Sequence, residues 1–407
     1  MREGEMTFKK MRILLFIFLL ASTAQMAQDA PSIHICASDG IHARLMEEDA
    51  AYRAQSEVFE NRIADAARNP ANSARSSAVL TIPLVVHIMH NGESIGTGVN
   101  ISEAQVQSAL VALNEDFRKE PGSNGDGNGV DTEIEFCLAS MDPNGNSTNG
   151  INRINASSIT NYSSEGITAG QGSGANELAI KSLSRWNRDE YYNIWIVSEI
   201  EDNDGGSGIQ GYAYYPNSSA SLDGAVILYN AFGTVGDLKF YTNQNRVTTH
   251  ELGHGLFLYH TFQGASCTET NCSNEGDRVC DTPATTLNSN CNTPACGGTQ
   301  QVENYMDYSN QSCLNMFTQG QKTRMRDAIQ ITRPSLLNSL ACSESELACT
   351  GDFNGDGLIN IEDFVTLNSM YGQTCSACAQ DMNGDGLVNI EDFLIFNSLI
   401  NTSCGPE

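Results

Sequence analysis

Positive charge is scarce in this chain of 407 residues: 22 lysines and arginines stand against 49 aspartates and glutamates, a formal net charge of −27. Such a surface repels a polyanion, so nucleic acid is excluded as a partner, while calcium binding fits it. Long apolar runs are scarce too. The one near the start, Ile13 to Leu20, follows Lys9, Lys10 and Arg12 and precedes small residues through Ala24 and Ala27, the layout of a secretory signal peptide over 1–27. It is too short to span a bilayer comfortably, and no later segment is long enough, so a soluble, secreted, extracellular protein is expected. Export implies disulfides, yet the 13 cysteines are an odd number, so at least one thiol is left over.

Proline is absent between about Asn243 and Leu256, and the stretch reads as a helix carrying His250-Glu251-Leu252-Gly253-His254. His250 and His254, four residues apart, project from one face about 5–6 Å apart at Cβ, so their imidazoles can converge on one ion. Glu251 lies one residue round the helix, placed to take a proton as general base without binding metal. His260 completes a three-nitrogen zinc site if the helix stops soon after His254 and the chain turns back. That leaves the fourth tetrahedral position to water, as in a catalytic rather than a structural site.

The histidine run continues into Thr261-Phe262, then Asp281-Thr282-Pro283, then Asn304-Tyr305-Met306-Asp307-Tyr308 and Cys313-Leu314-Asn315-Met316-Phe317-Thr318. This order of motifs resembles the pappalysin-type metzincin metalloproteases, from about Thr81 to about Leu340. The resemblance implies a zinc endopeptidase acting on protein or peptide substrates. It also implies an α+β fold: a twisted mixed sheet and zinc helix above a loop-rich, disulfide-bonded lower subdomain, over 78–341. By the same resemblance Met306 forms an apolar floor beneath the metal, and Tyr308 sits near the zinc and hydrogen-bonds the developing oxyanion. Among the six cysteines from Cys267 to Cys313 it implies the bridges Cys267 with Cys296, Cys291 with Cys313, and Cys272 with Cys280. Sequence alone allows about fifteen pairings there.

Two departures from the family pattern stand out. Phe257 occupies a turn position three after the second histidine, where the family has Gly or Asn, and a bulky residue at φ > 0 costs on the order of 1–2 kcal/mol. Gln311 replaces an acid that in some members favours a basic residue after the scissile bond. The rival reading is a calcium-dependent binding or adhesion protein whose protease-like domain is impaired at Phe257.

Upstream, Cys36 in Ile35-Cys36-Ala37-Ser38 precedes a charged helical stretch from about Ala43 to Ala67. The segment 28–77 resembles the family's pro-segment, in which a thiolate fills the open zinc position and keeps the zymogen inactive. The other possibility is that Cys36 pairs in a disulfide. Arg68 to Ser77 reads as an exposed linker with an activation cut after Arg75. Thereafter strands are expected at Thr81–Met89, Glu133–Ala139, Tyr192–Val197, Gly211–Tyr215 and Ala225–Tyr229, and helices from Ser102, over Asn176–Trp186 and over Gln319–Leu340. One of the strands is expected to bind substrate as an added edge strand.

Residues 349–405 hold a repeat with a period of 29. Asp352, Asn354, Asp356, Leu358, Asn360 and Asp363 align with Asp381, Asn383, Asp385, Leu387, Asn389 and Asp392, the ligand spacing of a twelve-residue calcium loop, with Leu358 and Leu387 giving backbone carbonyls. Each loop runs into an apolar helix. The duplicated loop-plus-helix resembles a dockerin module, small and all-α, holding two calcium ions and offering attachment to a surface or scaffold protein. Its cysteines Cys349, Cys375, Cys378 and Cys404 also follow the period. In the catalytic portion Asp277 and Asp281 are candidates for a further calcium.

Overall fold

The computed structural model describes residues 35–68, 78–170, 172–342, 351–354, 358–375, 378–383, 385–400 and 402–403. The expected signal peptide, most of the expected linker, Asp356, Cys349 and Cys404 lie outside the described residues.

Strand β2 (Leu80–His90) is the spine of the molecule: nine of its eleven residues are buried, the near-continuous apolar run of a strand covered on both faces. Its first half pairs in parallel with β3 (Ile134–Leu138) and its second half with β4 (Ile151–Asn155). On the other side runs β5 (Tyr192–Val197), and beyond it β7 (Ala225–Leu228), both parallel. The hand then changes. β6 (Ile209–Ala213) pairs antiparallel with β7, and the two-residue β1 (Ile35–Cys36) lies parallel on β6, giving the order β1-β6-β7-β5-β2-β3 with β4 off β2. Polar, half-buried β4, sequence Ile-Asn-Arg-Ile-Asn, was not expected, because it lacks the β-branched density of its neighbours.

The stretch Ala43–Ala67 is not one helix but parts of two, α1 (Ser38–Glu48) and α2 (Ala50–Arg68). Asp49 divides them, its Oδ1 accepting from the backbone N–H groups of Ala51 and Tyr52 at 2.8 and 3.0 Å. Helix α3 (Glu103–Phe117) starts on Ser102, whose hydroxyl accepts from Gln105 N–H. The one-turn α4 (Tyr162–Glu165) follows, then α5 (Glu177–Ser182), shorter than the expected Asn176–Trp186. The zinc helix α6 spans Arg246–Gly255. Helix α7 (Gln319–Thr332) opens on a capping box from Thr318 and Gln321 and stops at Arg333, before Pro334, rather than at Leu340. Proline at that point disfavours helix in the residue ahead of it.

Side chains from the sheet, α3 and α6 share one core, with Leu84, Val86, Ile194, Trp195, Leu113, Val247 and Leu252 each at 1% exposure or less. Each such aliphatic side chain contributes roughly 1.5–3 kcal/mol. Below α6, residues 261–318 contain a single short 3-10 turn as regular helix. Disulfides join Cys267 to Cys296, Cys272 to Cys280 and Cys291 to Cys313. A further bridge, Cys137 to Cys342, ties β3 to the chain beyond α7.

The C-terminal part is a small unit of its own: helices α8 (Ile361–Ser369) and α9 (Ile390–Leu399) and the strands β8 (Leu358–Ile359) and β9 (Thr402–Ser403). Phe353, Phe364, Leu367, Val388, Phe393 and Phe396 meet in its core, and Cys375 is bonded to Cys378.

Candidate metal centre

All ten residues of α6 are buried, so the helix runs between the upper sheet and the lower loops. Two contacts fix it. Asp116 at the end of α3 accepts from Arg246, from the Thr249 hydroxyl at 2.5 Å and from the Tyr305 hydroxyl at 3.0 Å, linking α3, α6 and the methionine turn. Gly253 leaves room for that turn, since a Cβ there would meet the Met306 sulfur at 2.4 Å.

At its C-terminus the helix closes with Phe257 N–H bonded to His254 O (2.8 Å) and Leu258 N–H to Gly253 O (2.9 Å). These are the 5→2 and 6→1 bonds of a Schellman cap, which favours glycine at the left-handed position. Here Phe257 occupies it, at φ 77°. The turn is kept because Arg324 holds Phe257 from two sides, Nε donating to its carbonyl at 2.8 Å and the guanidinium lying 4.4 Å from its ring centroid. The chain therefore still doubles back and delivers His260. The departure at Phe257 leaves the histidine geometry intact.

The Nε2 atoms of His250, His254 and His260 stand 3.0, 3.1 and 3.2 Å apart. Each Nδ1 faces an oxygen that accepts: His250 toward Tyr305 O, His254 toward Leu258 O and His260 toward Asp39 Oδ2, each at 2.7 Å. Each ring therefore carries its proton on Nδ1 and turns a lone pair on Nε2 toward the other two. Three lone pairs aimed at one point repel unless a cation lies between them. Their spacing approaches the ~3.3 Å edge of a tetrahedron with zinc–nitrogen bonds of about 2.0–2.1 Å. The donor set fits zinc, and the oxygen partners of Nδ1 are the outer shell that orients zinc-binding histidines.

Cys36 is the fourth member of this cluster, its ligand atom within 4.8 Å of the others. Among the described residues it is the cysteine outside any disulfide. Its thiol donates to Glu251 Oε2 at 3.2 Å, and Ser38 Oγ lies 3.3 Å from the same oxygen. Burial, then Glu251, push the thiol up from its ordinary value. A dication held by the imidazoles would reverse that, because a thiol that coordinates a metal is deprotonated. Burial likewise pushes the Glu251 carboxyl up to about 8.

Met306 is fully buried, its sulfur packed where a Cβ on Gly253 of α6 would stand. The Tyr308 hydroxyl accepts from Cys36 N–H at 2.8 Å and donates to Cys36 O at 3.2 Å, its ring 4.8 Å from that of His260. Gln311 accepts from Gln244 N–H. Asp277 and Asp281 have protein donors: the Thr282 hydroxyl and Val279 N–H for the first, the Thr318 hydroxyl and Gly320 N–H for the second.

Three participants had no local signal in the sequence: Ser38, Asp39 and Asp116. Asp39 meets His260 across 221 positions and Asp116 meets Thr249 across 133, distances no motif spans.

In the C-terminal unit Asp363 and Asp392 are buried and turn back over their loops. Asp392 accepts from Met382, Asn383 and Asn389 N–H, and Asp363 from Phe353, Asn354 and Asn360 N–H. In the second loop Asp381, Asn383 and Asp385 take backbone N–H groups of residues 385, 386 and 387.

Residues 175–330, which include the zinc helix and the methionine turn, match the family described as pregnancy-associated plasma protein-A. A protein named extracellular metalloprotease, from Pyricularia oryzae, is 31% identical over 322 residues, covering 76% of this chain and 93% of the relative. Among solved structures, a promirolysin mutant from Tannerella forsythia is similar at a TM-score of 0.55 and 28% identity, covering 77% of this chain and 98% of that one. Tannerella forsythia mature mirolysin in complex with a cleaved peptide gives 0.51 and 31%, covering 67% and 99%. The chain therefore belongs to the pappalysin-type metalloproteases and is a zinc-type metalloendopeptidase.

Proposed function

We propose that this is a secreted zymogen whose site is His250, His254 and His260 for zinc, with Glu251 as general base and Tyr308 as oxyanion donor. The observation that carries it is the trio of Nε2 atoms facing one another while every Nδ1 proton is spoken for. What zinc supplies at that point is Lewis acidity, toward a peptide carbonyl and toward water. Glu251 takes a proton from the attacking water at its carboxylate and delivers it to the leaving amine. Tyr308 donates its hydroxyl proton to the developing oxyanion once Cys36 has left. Strand β6, antiparallel to β7, offers the edge on which an extended substrate adds as a strand, and β1 occupies that edge here.

Latency is assigned to residues 28–77. Three features support it: the buried Cys36 thiol in the histidine cluster, the hydrogen bonds of Ser38 and Cys36 to Glu251, and the wider coverage of this chain by promirolysin than by mature mirolysin, 77% against 67%. Secretion is supported by the apolar start of the chain and by relatives named extracellular. The C-terminal repeat, on its ligand spacing and its two buried terminal acids Asp363 and Asp392, is assigned two calcium ions, and its partner a surface or scaffold protein.

The test is Glu251→Ala in protein freed of its pro-segment. Peptidase activity is expected to fall about 10²–10⁴-fold, the usual worth of a positioned general base. Turnover equal to wild type ends this mechanism. Cys36→Ala is expected to shorten the lag before self-activation, and an unchanged lag removes the thiol switch.

A further inference from the structure

We infer that cutting the linker does not by itself open the site: the pro-segment stays docked afterwards, held by helix α2 on an aromatic platform that needs no metal. The inference rests on the latency reading above and adds a second anchor to it.

The platform is built around the residue that departs from the family pattern. Phe257, Tyr259, Tyr215 and Ala328 form one buried cluster with Phe59 and Ile63 of α2. The Phe59 and Phe257 rings lie 4.3 Å apart between centroids, and both side chains are under 5% exposed. A glycine at 257 would relieve the left-handed turn and remove the centre of this surface. Beside it, Glu60 of α2 binds three groups of the catalytic portion: the Tyr259 hydroxyl and Arg324 Nη2, each at 2.7 Å to Oε1, and Arg278 Nη1 at 3.1 Å to Oε2. Arg324 is the residue that also clamps Phe257. Nearby, Asn217 Nδ2 donates to Ser56 Oγ at 2.5 Å.

The second anchor is the Cys36 end, on β6 and the histidines. Two linked anchors reinforce each other, because while one holds, the other rebinds as an intramolecular event. Every contact named here is made by residues 36–63, upstream of the linker. A cut between Arg68 and Ala78 breaks none of them. Release then depends on the dissociation or destruction of α2, so cleavage and activity separate in time.

The experiment cuts the full-length chain once between Arg68 and Ala78, with mass spectrometry confirming completeness, and follows gel filtration and casein cleavage together. The two fragments are expected to co-elute in a latent complex, with activity appearing only on dilution or on degradation of the pro-fragment. Glu60→Gln in the same chain is expected to release the fragment about tenfold faster, as loss of a half-buried charged partner raises dissociation. Immediate separation with full activity at the cut overturns the inference. So does a catalytic fragment that forms a dimer through the platform in preference to the pro-fragment. Co-elution requires no catalysis, so fragments that co-elute but never cleave casein, even after the pro-fragment is digested away, would count against the protease reading and leave the docking in place.

Discussion

Above the zinc helix the chain is held by apolar packing, and below it by covalent links and polar contacts. The upper sheet buries Ile82, Leu84, Ile88, Ile194, Trp195 and Val226 at 1% exposure or less. The lower loops hold three disulfides and a chain of side-chain amides and acids. There Gln300 donates to Asp307, Thr261 donates to the same carboxylate, and Asn304 exchanges hydrogen bonds with Gln321. The upper half leans mostly on buried apolar side chains, while the lower half adds three disulfides and a network of side-chain hydrogen bonds. Helix α6 touches both, through Asp116 of α3 on one side and the Tyr305 carbonyl on the other.

The largest effect expected from this contrast is in the upper core. Trp195→Ala removes a fully buried side chain and is expected to cost about 3–5 kcal/mol, read as a lower unfolding midpoint in denaturant. A loss under about 1 kcal/mol would mean that packing does not hold the sheet. Second, replacing Cys291 and Cys313 together by Ser opens a link of sequence separation 22 and is expected to cost about 3 kcal/mol by the loop-entropy model. Its signature is regional: the upper sheet keeps its hydrogen-exchange protection while residues 261–318 lose theirs. Equal loss in both halves would erase the distinction between them.

Third comes a pH effect confined to the upper half. His87 is buried on Trp195 with Nε2 2.9 Å from Asn193 Oδ1, and burial pushes its imidazole down to about 4. The unfolded chain binds a proton near 6.5 that the folded chain refuses, so stability is full above 6.5 and falls as pH drops toward 4, by up to about 3 kcal/mol. His87→Gln is expected to flatten this window, and the wild-type minus variant difference isolates it. The smallest effect is Thr318→Ala, which removes the cap of α7 and a hydrogen bond to Asp281 and is expected to cost about 1–2 kcal/mol.

The same contrast explains what was legible in the sequence. The convergence of His250 and His254 follows from helix periodicity, and the spine strand from its run of Val and Ile. Met306 and Tyr308 were found by resemblance, because a loop has no period to read. The pairing of Asp39 with His260, of Asp116 with Arg246 and of Cys137 with Cys342 is tertiary, joining residues 221, 130 and 205 positions apart. Helix ends were misjudged where side chains decide them, as at Asp49 and at Arg333 before Pro334. Phe257 was marked as a strained turn. That Arg324 and helix α2 together hold it could be seen only with α2 and α7 side by side.

The most direct measurement is metal content against activity in the mature protein, freed of its pro-segment: zinc per chain and turnover of casein, before and after a chelator and after zinc is restored. One zinc in the catalytic portion, activity lost on its removal and regained on its return is the predicted result. A correctly folded chain that cleaves casein equally well with its zinc stripped away would contradict the account.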